Sequence, residues 1–190
     1  MKENRSSIYR LTVCGLMAAV MCVLGPMSIP IGAVPISFTN LVICLAACLL
    51  GWRWASVSVV VYVLLGMVGL PVFSGYSGGL AKLAGPTGGY IIGFIFLALI
   101  GGFFVDRFQG SYLWTIVGLV LGMAVTYAFG TAWFVIQMRC TLWYALTVCV
   151  LPFAVVDVIK IVVSTLVGAT IRRQLVKAHL MGAYAAAESK

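Results

Sequence analysis

Acidic residues are almost missing from this chain. Asp and Glu together number 4 in 190 residues, and charged residues of all kinds make up 8% against 63% hydrophobic. No soluble domain of this length carries so little charge, and the mean hydropathy of +1.15 reads as a polytopic membrane protein. Segments of about ten residues with alternating polarity are also missing, which excludes a β-barrel. Histidine occurs once, at His179, beyond the last apolar run. The six cysteines (Cys14, Cys22, Cys44, Cys48, Cys140 and Cys149) form no C-x-x-C pair and have no histidine nearby. They read as small apolar packing residues rather than a disulfide framework or a metal site. No glycine-rich loop followed by Lys-Ser or Lys-Thr is present, so any use of ATP falls to another chain. No internal repeat supports an inverted-repeat carrier.

What is present is a series of long apolar runs. They predict one all-α integral membrane domain over residues 1–190. Six transmembrane helices fall at about 8–25, 39–50, 55–70, 89–105, 112–138 and 142–171, the last kinked by Pro152, with two long outward-facing loops and a cytoplasmic tail over 178–190. The first loop, 26–38, holds three prolines and a glycine, and no helix survives that; an extended hairpin is expected. The second, 71–88, is glycine-rich. Between the second and third helices, Gly51-Trp52-Arg53-Trp54 reads as a tight turn with interfacial tryptophans. Gly118 and Gly122 give the fifth helix a small-residue face.

The net charge of +8 marks orientation rather than nucleic-acid binding. Lys2, Arg5, Arg10, Arg53, Arg107, Arg172, Arg173 and Lys177 fall on one side of six spans, and Lys82 and Arg139 on the other. Eight against two puts both termini in the cytoplasm of a cell-membrane protein. Anionic membrane lipid is a secondary partner for the basic ends.

The most informative residues are Asp157 and Lys160, inside the apolar run 151–163. A charged side chain at mid-membrane costs about 2.5–3.5 kcal/mol on insertion scales, so such residues face an interior or a cavity. Their i,i+3 spacing sets both on one helical face. At 1.5 Å per residue, Lys160 lies roughly 18 Å and Asp157 roughly 22 Å from Arg172, in the outer half of a core about 30 Å thick. Two readings stand: a self-satisfied ion pair, and the floor of a ligand site. A carboxylate accepting N–H groups beside an ammonium donor suits a cyclic urea. Ser37, Thr39, Ser74, Ser77 and Thr87 add loop hydroxyls, and Phe73, Tyr76 and Tyr90 add aromatic walls. Thr87 is the expected N-cap of the fourth helix, whose free N–H groups suit a ligand carboxylate. A small, partly apolar organic acid fits this set. On the first helix, Gly15 with Ala19 and Ala18 with Cys22 form a small-residue stripe that another helix can approach, from within the bundle or from a partner.

Several strings together resemble the BioY family, the biotin-specific membrane components of energy-coupling factor transporters. They are Val34-Pro35-Ile36-Ser37, Gly69-Leu70-Pro71-Val72-Phe73, Gly78-Gly79, Gly85-Pro86-Thr87-Gly88-Gly89-Tyr90, and Leu151-Pro152-Phe153 with Asp157 and Lys160. The resemblance implies a six-helix capture subunit that binds biotin from outside, with no bound cofactor, catalytic residue or metal. It implies that Asp157 and Lys160 hold the ureido ring; Phe73, Ser74, Tyr76, Tyr90 and Thr87 are expected to contribute by their loop positions and chemistry. It also implies docking to a transmembrane coupling protein and two ATPase subunits through the helix 1 stripe at Gly15, Ala18 and Ala19. Cys22 stands there in place of a further small residue.

Three rivals remain at the level of sequence. Gly75-Tyr76-Ser77-Gly78-Gly79 matches the G-x-S-x-G of serine hydrolases and resembles a rhomboid-type intramembrane protease, but His179 is on the wrong side to serve as base. A proton- or ion-coupled permease would use Asp157 as its carrier group. A capture subunit for another vitamin would share the bundle and differ in its pocket.

Overall fold

A computed structural model describes residues 2–29 and 35–177; the expected tail over 178–190, His179 and Val34 lie outside the described residues. Among the described residues the regular structure is helical apart from one small hairpin. The elements are α1 (Lys2–Leu24), β1 (Ser28–Ile29), β2 (Ile36–Ser37), α2 (Thr39–Met67), α3 (Leu80–Ala84), α4 (Gly88–Arg107), α5 (Tyr112–Met138), α6 (Leu142–Cys149) and α7 (Leu151–Lys177). Among the described residues, four helices are long and apolar enough to cross a membrane: Thr39–Met67, Gly88–Arg107, Tyr112–Met138 and Leu151–Leu175. Ile8–Leu24 is a shorter apolar helix.

α2 is not a straight rod. Gly51 sits inside it at φ 70°, ψ −176°, a conformation open essentially to glycine alone. Tyr62, beyond the break, lies beside the Thr39 side chain before it. In a straight helix the two would stand roughly 34 Å apart, so the chain doubles back at Gly51. The expected turn is therefore one residue long, and Trp52, Arg53 and Trp54 are already helical. The Trp52 N–H at the turn donates to Asp106 Oδ2 at 3.0 Å, tying the turn to the end of α4.

The expected single helix over 142–171 is two helices. Val150, at φ −118°, ψ −54°, ends α6, and α7 starts at Leu151. Pro152 explains the division: it lacks an N–H and its ring crowds the carbonyl of Val148, so it cannot continue α6 but is tolerated in the first turn of α7. α1 starts at Lys2 rather than near 8, and the second loop carries the short α3.

α4 lies between α2 and α5. α4 and α5 approach closely where a side chain is absent: a Cβ on Gly93 would stand 2.8 Å from Thr126 Cγ2. Thr126 Oγ1 uses that proximity to donate to Gly93 O at 2.9 Å. Gly122 packs against Leu97 and Gly118 against Phe104, so the small-residue face of α5 is spent on α4. Between helices in lipid, contact of this kind replaces the hydrophobic drive that water would supply.

One end of the bundle is basic. Arg172 Nη1 reaches Cys48 O at 3.5 Å, Arg173 lies 5.0 Å over the Tyr112 ring, and Tyr9, Arg10, Arg53 and Asp106 line one groove. The opposite end carries the loops. There β1 and β2 pair antiparallel, Ser28 with Ser37 and Ile29 with Ile36, as the proline-rich segment predicts for its described ends. Phe73 and Ser77 bridge across a tight turn in which Gly75 and Tyr76 both have positive φ (73° and 55°). The Gly75 N–H donates to Pro26 O at 3.0 Å, joining the two loops.

Replacing Gly51 by Ala puts a side chain where φ forbids it and against the Asp106 carboxylate. A loss of about 1–3 kcal/mol is expected, read as a lower melting temperature of the purified protein in detergent. A melting temperature equal to the parent's would contradict the turn at Gly51.

Candidate functional site

Asp157 and Lys160 meet on α7 near the loop end. Lys160 Nζ stands 2.9 Å from Asp157 Oδ1, and the residues are only 7% and 2% exposed. The pair is not self-contained. Asp157 Oδ2 accepts from Asn40 Nδ2 at 3.2 Å and from the Tyr127 hydroxyl. Lys160 Nζ also donates to Ser37 O at 2.9 Å. One cluster thus joins β2, the start of α2, the middle of α5 and α7. Such an arrangement answers the cost of removing two charges from water, which an isolated pair repays poorly.

Two polar valences are left over. Asn40 turns both amide hydrogens inward, toward Asp157 and toward Met123 Sδ at 3.9 Å. A flipped amide would set oxygen against the carboxylate, so its orientation is fixed. Its Oδ1 is buried without a hydrogen-bond partner among the described residues, a condition that native interiors rarely leave unmet. Lys160 has three N–H donors, and Asp157 and Ser37 account for two. The floor therefore offers one free acceptor and one free donor.

Above this floor lies a partly open cavity. Tyr62, Phe73, Ile91, Phe94 and Phe153 give it apolar walls, and Asn40, Thr126, Tyr127, Asp157 and Lys160 its polar groups. Phe73 is 1% exposed and meets Tyr62 edge-on at 5.6 Å and 84°. Tyr62 is itself held by its hydroxyl on Val72 O at 3.0 Å. Tyr90 packs against Gly130 and shares a 3.1 Å hydrogen bond with Thr131.

Of the residues expected from sequence, Asp157, Lys160, Tyr90, Phe73, Ser74 and Thr87 line this cavity, as does Ser37. Tyr76 does not. It is 69% exposed at the tip of the Phe73–Ser77 turn and borders a shallow groove outside. The turn needs positive φ at that position, which carries the ring away from the cavity. Thr87 occupies the N-cap of α4 without a side-chain cap bond. Asn40 and Tyr127 are not among the residues expected from sequence. Asn40 is one of two asparagines in the chain and opens an apolar helix, which is a readable signal; Tyr127 is one aromatic among many. Ser77, the candidate nucleophile, donates to Ser74 O at 2.8 Å within the tight turn, as an ordinary turn serine does. On α1, Gly15 and Ala19 are exposed, whereas Ala18 is 3% exposed and packed inside the bundle, so it is not part of an accessible stripe.

Fold and site define a class: a helical membrane protein that encloses a small-molecule cavity, open at the loop end and floored by a buried charge pair. Residues 1–177 match the model of the BioY family. A biotin transporter BioY of Thermotoga maritima is 35% identical over 165 residues, covering 86% of this chain and 96% of that protein. Biotin transporter BioY2 of Lactococcus lactis is 31% identical over 172 residues, covering 90% and 94%. The crystal structure of the S-component for biotin from an ECF-type ABC transporter superposes with a TM-score of 0.84 at 30% identity, covering 90% of this chain and 94% of that one. The chain belongs to the BioY family.

Tyr127→Phe removes one donor from a buried carboxylate. Hydrogen bonds to charged groups contribute about 1.5–3 kcal/mol, so the variant should unfold at lower temperature or denaturant concentration in detergent. Parental stability would argue against the Tyr127–Asp157 contact.

Proposed function

We propose that this chain captures biotin from outside the cytoplasmic membrane, as the substrate-binding component of an ATP-driven vitamin importer. The observation that carries the reading is the floor of the cavity. A ureido ring presents N–H, C=O and N–H around one edge. Asn40 Oδ1 and the Asp157 carboxylate accept the two N–H groups, and the spare Lys160 proton donates to the carbonyl. The apolar walls at Phe73, Phe94 and Phe153 take the rest of the bicycle and the side chain, with Tyr90, Ser74 and Thr87 on the cavity's loop side. The relatives, which are biotin transporters, and the superposed S-component for biotin support the same ligand.

The chain crosses the membrane six times in this account, with α2 counted twice because it reverses at Gly51. The eight-residue α6 lies at the loop end and leads into α7. The basic end, with Arg10, Arg53, Arg107, Arg172 and Arg173, faces the cytoplasm, so both termini are inside and the cavity mouth is outside. Import then requires a transmembrane coupling protein and two ATPase subunits. The face of α1 carrying Ile8, Leu11, Gly15, Ala19 and Val23 is exposed, has room at Gly15 and is the surface on which the coupling protein docks.

Asp157→Asn leaves the Lys160 charge uncompensated and removes the better acceptor. Biotin affinity measured by titration should fall about tenfold to hundredfold, the equivalent of about 1.5–3 kcal/mol for a bond to a charged group. Unchanged affinity in a folded variant would sink the assignment. Ala19→Trp fills the exposed stripe without touching the cavity. It should keep biotin binding to the purified protein and abolish uptake by cells; continued uptake would place the docking surface elsewhere.

A further inference from the structure

We infer that Lys82 is the anion-recognising residue of this site, holding the carboxylate at the end of the ligand's chain as it passes the cavity mouth. The inference rests on the biotin reading above and extends it to the other end of the molecule. Pro35, Ser74 and Lys82 line both the cavity and the shallow groove outside it, so they form the rim between the two. Among the described residues, three charged ones line the cavity: Asp157, Lys160 and Lys82. The first two neutralise each other at the floor. Lys82 is half-buried and makes no side-chain hydrogen bond or ion pair among the described residues. The cavity therefore has a neutral floor and a single unspent positive charge at its entrance.

The segment that carries Lys82 is held in place. The Lys82 N–H donates to Gly79 O at 3.2 Å and Lys82 O accepts from Gly85 N at 3.3 Å. α5 grips the following residues, with Trp133 Nε1 on Gly85 O at 3.0 Å and Gln137 Nε2 on Ala84 O. A fixed backbone with a flexible four-carbon stem suits a point charge that must follow a mobile carboxylate. The rival anion site, the first turn of α4, is partly spent, since the Gly88 N–H already bonds Gly85 O at 3.0 Å. The ligand class is thus a monoanion whose charge is separated from a urea-like head by an apolar chain. A neutral amide or ester of the same acid keeps the head contacts and loses the one at Lys82.

The test is titration calorimetry of the full chain in detergent with biotin and with biotinamide, which differ only in that charge. The parent should bind biotin about tenfold more tightly, the scale of a hydrogen bond to a charged group, and added salt should narrow the gap. In Lys82→Met and Lys82→Gln the two ligands should bind alike; Lys82→Arg should restore the preference. A parent that binds both equally, or a Lys82→Met variant that retains the preference, overturns the role of Lys82 while leaving biotin capture intact. If the folded parent binds neither ligand, the biotin reading itself fails and Lys82 falls with it.

Discussion

The buried carboxylate of Asp157 is the group on which the loop end of this protein depends. It cannot remain charged inside a membrane bundle without several donors, and the chain supplies them from separate elements: Lys160 on α7, Asn40 at the start of α2 and Tyr127 on α5. Lys160 in turn reaches the carbonyl of Ser37 on β2. Satisfying one charge therefore fixes the spacing of three helices and anchors one strand of the first loop. Ser164, one turn further along α7, repeats the link by donating to Leu41 O at 3.1 Å. A ligand that engages this cluster engages the junction between bundle and loop, so binding and loop position share the same hydrogen bonds.

The rest of the bundle makes that cluster possible by being rigid. Glycines between α4 and α5 allow backbone-level contact, and Thr126 is bonded to Gly93 O in the turn next to Tyr127. The Tyr127 hydroxyl is thus delivered from a helix that has little freedom to slide. On the opposite wall, Tyr62 holds Val72 O while its ring supports Phe73. Aromatic walls and polar floor are each set by contacts outside the cavity, the arrangement expected of a largely pre-formed small-molecule site.

Much of this was legible in the sequence, for identifiable reasons. Low charge and long apolar runs gave a helical membrane protein, and α5 falls where the run 112–138 puts it. Asp157 and Lys160 stood out because ionisable residues in an apolar helix are expensive. Other features were hidden. Gly51 was readable as a turn, but not that a single residue at φ 70° would suffice. Pro152 looked like a kink; its missing N–H instead separates α6 from α7. Tyr76 shared the composition of a loop aromatic with Phe73, and only the pairing of Phe73 with Ser77 shows that the two rings point apart. Ala18 and Ala19 are adjacent letters, yet the first is buried and the second exposed, because the helix turns about 100° per residue. Asn40 and Tyr127 act across the tertiary structure, at sequence separations that no local pattern reports.

The central claim is that the polar floor selects a urea-like head. The direct measurement is titration of the purified, detergent-solubilised chain with biotin, using thiamine and riboflavin as controls, with neither ATP nor partner subunits present. Saturable one-to-one binding of biotin, with no heat from the other two vitamins, is the predicted result. A demonstrably folded chain that ignores biotin, or that takes all three alike, would contradict the account.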